Sequence, residues 1–249
     1  MSASKQLVRV NKGIRESVLF VFIGEPGTGK STIMQKFMSM NTRNLIIPSN
    51  WSEVGETWKN MGVLKPSSYL IRDTLDPKGK KQIVRYRVEH LTTFQGNKVI
   101  DVRLIADQHM YQFIPSILDA NAPDLSFRYG GFYLDDMKNY IASVGQLPQA
   151  ISNPLRARRH IGVDFFFACH RFQDVNSEFY GFGAKLFIFK TNTPPSPAAL
   201  DRISPQCQAQ LIRIIEGVNK RAIKDRHYYH PFDPSDAQLN DQLMKESGI

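Results

Sequence analysis

With 249 residues, 42% of them hydrophobic, the chain has the size and composition of one globular α/β domain with a sizeable core. Its 32 basic and 23 acidic residues give a formal net charge of +9 and a pI near 9.5. This favours an anionic partner, nucleic acid first and a membrane surface second, although a basic soluble enzyme has the same balance. The N-terminal stretch MSASKQLVRVNKGIRES lacks the apolar core of a signal peptide, and no segment approaches the roughly 18 apolar residues of a membrane helix, so a soluble protein, or one anchored through a partner, is expected.

Residues 18–23 (VLFVFI) read as a buried strand, and residues 31–40 as a helix. Between them lies GEPGTGKS, which matches the phosphate-binding pattern G-x-x-x-x-G-K-[ST], Walker A, at every fixed position. Strand, glycine-rich loop and helix together argue against a chance turn. Gly24, Gly27 and Gly29 allow backbone conformations and approaches that a Cβ blocks, so the loop N–H groups can converge on an anion. The expected cradle runs through Gly24, Glu25, Pro26, Gly27, Thr28, Gly29, Lys30, Ser31 and Thr32. Lys30 is placed to reach the β- and γ-phosphates of a nucleoside triphosphate, and the Ser31 hydroxyl to ligate Mg²⁺.

A second short strand is expected over 44–48 and a helix over 52–61. Residues 67–105 then change character, with strands over 69–71, 83–88 and 99–105 and a turn signal at 76–79. This reads as a β-hairpin-rich insertion. Its Lys78, Lys80, Lys81, Arg85 and Arg87 suit either a projection towards DNA or a solvated edge protected from aggregation. A helix is expected over 107–120.

GGFYLDD, residues 130–136, fits a Walker B strand, an apolar run that ends in two carboxylates. Asp135 is assigned to Mg²⁺ and Asp136 to the attacking water; the alternative is that Asp136 caps the segment from Met137. Asn153 and Pro154 read as cap and first residue of a short helix to about Arg159. Strands follow over 161–169 and 184–189. Cys169 and Cys207 have no metal-type spacing, lie in apolar patterns and read as reduced core residues of a cytosolic protein. Ser204 and Pro205 cap a helix whose apolar stripe is Cys207, Leu211, Ile214, Ile215, Val218 and Ala222. The cations Lys220, Arg221, Lys224 and Arg226 are read as complementing that helix's dipole in preference to binding DNA. The tail from 231 to 249 is polar and expected to be irregular. With no repeat or low-complexity linker, residues 1–249 form a single domain.

Residues 154–175 (PLRARRHIGVDFFFACHRFQDV) resemble the HerA–FtsK group of DNA-translocating ATPases, especially its viral branch of genome-packaging ATPases and zonula-occludens-toxin-like proteins. The resemblance rests on Arg159-His160-Ile161-Gly162-Val163-Asp164 ahead of a core strand and runs from about Leu19 to Lys190 outside the insertion. It implies a P-loop NTPase fold of the RecA-like (ASCE) type, a three-layer α/β sandwich with a mostly parallel sheet and the β-hairpin insertion. His170 stands where the group often carries a glutamine that senses the γ-phosphate. The resemblance further implies ATP as substrate and a homo-oligomeric ring, commonly a hexamer, with an arginine reaching the neighbour's nucleotide. Of Arg156, Arg158 and Arg159, we choose Arg156 and Arg159 for that role; helix-end charge complementarity is the competing reading. Toxin-like members carry a membrane segment, which this sequence lacks. The expected activity is therefore DNA translocation that packages a viral or phage genome. DNA is bound through its phosphates, a capsid or membrane-vertex protein is a further partner, and the location is host cytoplasm or virion. A conjugative or cellular DNA-transfer ATPase and a non-motor P-loop assembly NTPase are the alternatives.

Overall fold

A computed structural model of the chain describes residues 10–11, 14–52, 58, 60–72, 82–106, 109–119, 126–143 and 145–249. Val10–Asn11 (β1) and Ile14–Arg15 (β2) pair as a small antiparallel ribbon. Leu19–Ile23 (β3) and Arg43–Ile47 (β4) are buried at every residue, as strands covered on both faces must be. Gly62–Leu64 (β5) is short, and Pro66–Arg72 (β6) and Gln82–Val88 (β7) form an antiparallel hairpin. Gly96–Ile100 (β8), Gly130–Leu134 (β9), Val163–Cys169 (β10), Lys185–Phe189 (β11) and Tyr229–Phe232 (β12) complete the strands described.

The central sheet has the order β12-β11-β3-β10-β9-β4-β8-β5. Every neighbouring pair in it is parallel except β11 with β12. The main helices are Lys30–Lys36 (α1), Met110–Ile117 (α2), Gln149–Arg156 (α3), Pro205–Arg221 (α4) and Ala237–Ser247 (α5). Alternation along β3 sorts them into two layers. Leu19, Val21 and Ile23 enter a core with Phe113, Leu155, Leu211 and Ile214. Phe20 and Phe22 enter a second core with Ile33, Met34 and Phe37. This is the expected three-layer α/β sandwich.

Several elements differ from the sequence reading. The helix after the phosphate loop stops at Lys36 and tightens into a 3₁₀ turn, Met38–Met40. The strand expected over 99–105 is β8; it ends at Ile100 and pairs in parallel with β4 and β5 in the central sheet, outside any insertion. Asp101 stops it by accepting the Arg103 N–H at 3.3 Å. The inserted unit is thus the hairpin β6–β7, seated on α2 through Tyr86, whose ring lies 5.6 Å from that of Phe113. Its tip, with the 76–79 turn and Lys78, Lys80 and Lys81, lies outside the described residues, as does most of the helix expected over 52–61.

Asn153 and Pro154 lie inside α3, because the Pro148 carbonyl accepts the Ile151 and Ser152 N–H groups and starts the helix a turn earlier. Ser204 caps α4 as expected, its Oγ accepting the Cys207 N–H at 3.3 Å. The tail read as irregular forms β12 and α5. Asp236 caps α5 by accepting the Leu239 N–H at 3.0 Å, and Leu243 and Met244 bury its apolar side. Pro231 is tolerated in β12 because that strand is an edge. No helix among the described residues is long and apolar enough to cross a membrane.

Candidate active site

Parallel register brings the separate sequence motifs to one edge. Cys169 pairs with Ile23 and Phe167 with Leu134, so β3, β9 and β10 run out together at their carboxyl ends. The phosphate loop, Asp135–Asp136 and His170 follow those ends directly. The loop is strapped to both neighbouring strands: the Gly24 N–H donates to Cys169 O at 3.2 Å and the Glu25 N–H to Lys190 O at 2.8 Å. Gly24 is required there, since a Cβ would lie 2.5 Å from Phe189 Cβ. Gly29 holds a left-handed conformation, φ 90°, at the entry to α1, which a side chain would strain.

Lys30 is buried beneath the loop. Its Nζ donates to Gly24 O at 2.8 Å and Glu25 O at 2.9 Å and lies 3.5 Å from His170 Nδ1. Ser31 Oγ donates to Asp135 Oδ2 at 3.0 Å. Mg²⁺ is ordinarily held by one or two side chains together with phosphate oxygens and waters, and this hydroxyl–carboxylate pair fits that need. Asp136 is a non-glycine residue with φ 59°. It precedes the 3₁₀ turn at Met137–Asn139, yet its side chain caps no backbone N–H of that turn. Its Oδ2 accepts from Asn139 Nδ2 at 3.2 Å and sits 3.8 Å from His170 Nε2. Its Oδ1 is buried with no hydrogen-bond partner among the described residues. The capping alternative is therefore not what the side chain does.

These groups face a cleft of about 370 Å³ lined by Pro26, Gly27, Gly29, Lys30, Ser31, Thr32, Asp135, Asp136 and His170, with Ser49 and His227. Neither a family model nor a curated protein matches the sequence. Solved structures do match in fold. One is the genome packaging NTPase B204 from Sulfolobus turreted icosahedral virus 2 in complex with AMP, at a TM-score of 0.56 and 15% identity, covering 88% of this chain and 93% of that one. The same protein in complex with ATP-gammaS gives 0.56 and 15%, over 88% and 92%. With AMPPCP it gives 0.55 and 14%, over 91% and 94%. The chain shares the fold of these packaging NTPases.

Within this shared fold, the expected site residues fall into three groups. Those that line the cleft are named above. Gly24, Glu25 and Thr28 belong to the loop but not to the cleft wall: Thr28 Oγ1 donates back to Glu25 O at 2.8 Å, and the Glu25 carboxylate pairs with Lys190 at 3.1 Å. Arg156 and Arg159 are not brought to the cleft at all. They precede the amino end of β10, at the opposite edge of the sheet, and seven strand residues at about 3.3 Å each separate the two edges by roughly 20 Å. Arg156 stacks on Phe182 at 5.3 Å and Arg159 pairs with Glu16 at 3.1 Å. Arg158, between them, donates to Leu155 O at 2.9 Å, and burial lowers its pKa.

Sequence reading missed Ser49, Asn139, Arg226 and His227. Ser49 follows β4 and could have been inferred from strand order. Arg226 was read as a dipole partner of α4, but it donates to Pro26 O at 3.1 Å, across 200 residues of sequence.

Proposed function

We propose that the protein is an ATP-hydrolysing, DNA-translocating motor that packages a viral genome. The observation that carries this reading is the convergence of Lys30, Ser31, Asp135, Asp136 and His170 on one cleft, in a chain that shares its fold with proteins described as genome packaging NTPases. The loop amides and Lys30 hold the triphosphate tail. Mg²⁺ held by Ser31 and Asp135 would neutralise phosphate charge. The unpartnered Oδ1 of Asp136 orients a water towards the γ-phosphorus and accepts its proton as the bond to ADP breaks. His170, between Lys30 and Asp136, senses the γ-phosphate through a ring N–H.

Arg156 and Arg159, on the far edge, cannot serve their own cleft and suit a neighbour's in a homo-oligomeric ring, with a hexamer favoured by the HerA–FtsK resemblance. The net charge of +9 and Arg85 and Arg87 on the hairpin suit sequence-independent contact with DNA phosphates. A capsid or membrane-vertex protein would dock the ring, in the host cytoplasm or on the virion.

The test is ATP turnover with and without DNA at low salt. Stimulation by DNA of any sequence is expected. A rate indifferent to DNA would overturn the motor and leave a non-motor P-loop NTPase.

A further inference from the structure

Topology delivers a second loop to the phosphate loop. Because β12 runs antiparallel to β11, pairing Tyr229 with Phe189, the chain leaving α4 must enter β12 at the edge where β11 and β3 end. Residues 222–228 therefore sit beside GEPGTGKS. They form a tight connection: the Lys224 and Asp225 N–H groups donate to Arg221 O at 2.9 and 3.0 Å, and the Tyr228 N–H to Asp225 O at 2.9 Å. The Asp225 carboxylate accepts the His227 N–H at 3.0 Å, and Arg221 Nη1 donates to the Tyr228 hydroxyl at 3.0 Å.

Two side chains of this loop lie against the phosphate loop. A guanidinium nitrogen of Arg226 is 3.1 Å from Pro26 O and 2.8 Å from where a Cβ on Gly27 would stand. The His227 ring is 3.0 Å from the corresponding point on Gly29, and it lines the cleft with Lys30, Ser31 and Thr32. Both side chains are exposed. Among the described residues Arg226 has no carboxylate partner, and one carbonyl leaves most of its five donors unused. Dipole complementarity does not explain it, since α4 ends at Arg221 and the dipole effect fades within the last turn. An arginine fork beside a row of inward-facing amides suits a phosphate oxygen better than a single carbonyl.

We propose that Arg226 and His227 are nucleotide-binding residues acting in cis. Arg226 leaves Pro26 O to bind the phosphate tail of a nucleoside triphosphate, and His227 contacts the nucleoside end beyond Thr32. The inference rests on the reading of the cleft as a triphosphate site and adds the wall that the Walker motifs do not supply.

The experiment is displacement of a fluorescent ATP analogue by ATP and by inorganic tripolyphosphate, on wild type, Arg226→Ala, His227→Ala and Lys30→Ala. Loss of a charge-assisted phosphate contact predicts that Arg226→Ala weakens both competitors about tenfold or more. His227→Ala weakens ATP several-fold and leaves tripolyphosphate unchanged. Addition of Lys30→Ala subunits, which carry an intact Arg226, does not restore the lost affinity; restoration would mean action in trans and overturn the proposal. Wild-type affinities in both loop variants, with binding lost in Lys30→Ala, overturn it and leave the triphosphate site standing. Undiminished binding by Lys30→Ala overturns the triphosphate site and this inference together.

Discussion

Asp136 combines two unfavourable features in one residue. A left-handed backbone at a non-glycine position costs of order 1–3 kcal/mol, and a buried carboxylate oxygen without a donor among the described residues adds a desolvation cost. Both are tolerated because the loop between β9 and the following turn aims the carboxylate into the cleft. Asp136→Asn keeps the shape and removes the proposed proton acceptor. Nucleotide affinity should stay within a few-fold while single-turnover phosphate release falls by about 10²–10⁴; full turnover would remove Asp136 from the chemistry. Lys30 holds the loop through two carbonyls, so Lys30→Ala loses the loop's internal tie together with the phosphate ligand proposed for it. ATP binding measured by calorimetry should vanish, and unaltered affinity would refute the assignment.

The elements around the cleft are held by aromatic packing. Phe187 of β11 stacks on Phe22 at 4.8 Å and meets Phe20 at 5.1 Å and Phe37 at 5.3 Å, edge-on. It therefore links the strand before the phosphate loop to the segment that follows α1. Phe187→Ala should cost about 3–5 kcal/mol, read as a lowered urea midpoint; a loss below about 1 kcal/mol would mean that this cluster is not the anchor. The Arg-His-x-Gly-x-Asp stretch also has an architectural job. Gly162, with φ 65°, ends the helical turn Arg158–Ile161, and buried Asp164 accepts the Val18 N–H and the Asn41 side-chain amide, each at 2.9 Å. One carboxylate thus ties β10 to the start of β3 and to the chain entering β4, fixing the strands whose far ends carry the site.

At the scale of the whole molecule, β12 and α5 close the sheet edge, and their ionisable groups set a pH dependence. Burial, with the Arg221 charge acting the same way, holds His230 below its ordinary pKa. The unfolded chain, with a histidine pKa of about 6.5, is then protonated first as the pH falls. Stability is full above about pH 6.5 and declines below it, until the folded histidine also takes a proton. Asp233 does not contribute in that window. Burial opposes its ionisation, but the Lys185 ammonium and the Ser235 donors outweigh it and keep its pKa below the ordinary carboxylate value, so its contribution is lost only at stronger acidity. Urea midpoints should fall from pH 7.5 to 5.5 in wild type and fall less in His230→Gln; equal falls would clear His230 of the effect. Assembly provides the other global test. Because Arg159 lies a strand's length from its own cleft, the proposed ring predicts that Arg159→Ala slows ATP turnover when every subunit carries it. Mixing with Lys30→Ala subunits, which have a dead cleft but an intact arginine, should restore part of it. Unrescued activity would mean that the arginine does not act in trans.

The strand–glycine-rich loop–helix segment, the paired aspartates at a strand end and the Ser204–Pro205 cap were legible in the sequence because each is local: residue types and spacing fix the backbone within a single short segment. The three-layer sandwich was implied by the resemblance of residues 154–175, and strands buried at every residue accord with it, since they need cover on both faces. The tertiary structure alone decided that β8 joins the central sheet, that Asp136 leaves its turn uncapped, and that an antiparallel edge strand returns Arg226 and His227 to the phosphate loop. These outcomes depend on which strands pair and in which direction. That choice is made by side-chain packing and backbone hydrogen bonds between strands up to about 165 residues apart, and no local spacing encodes it.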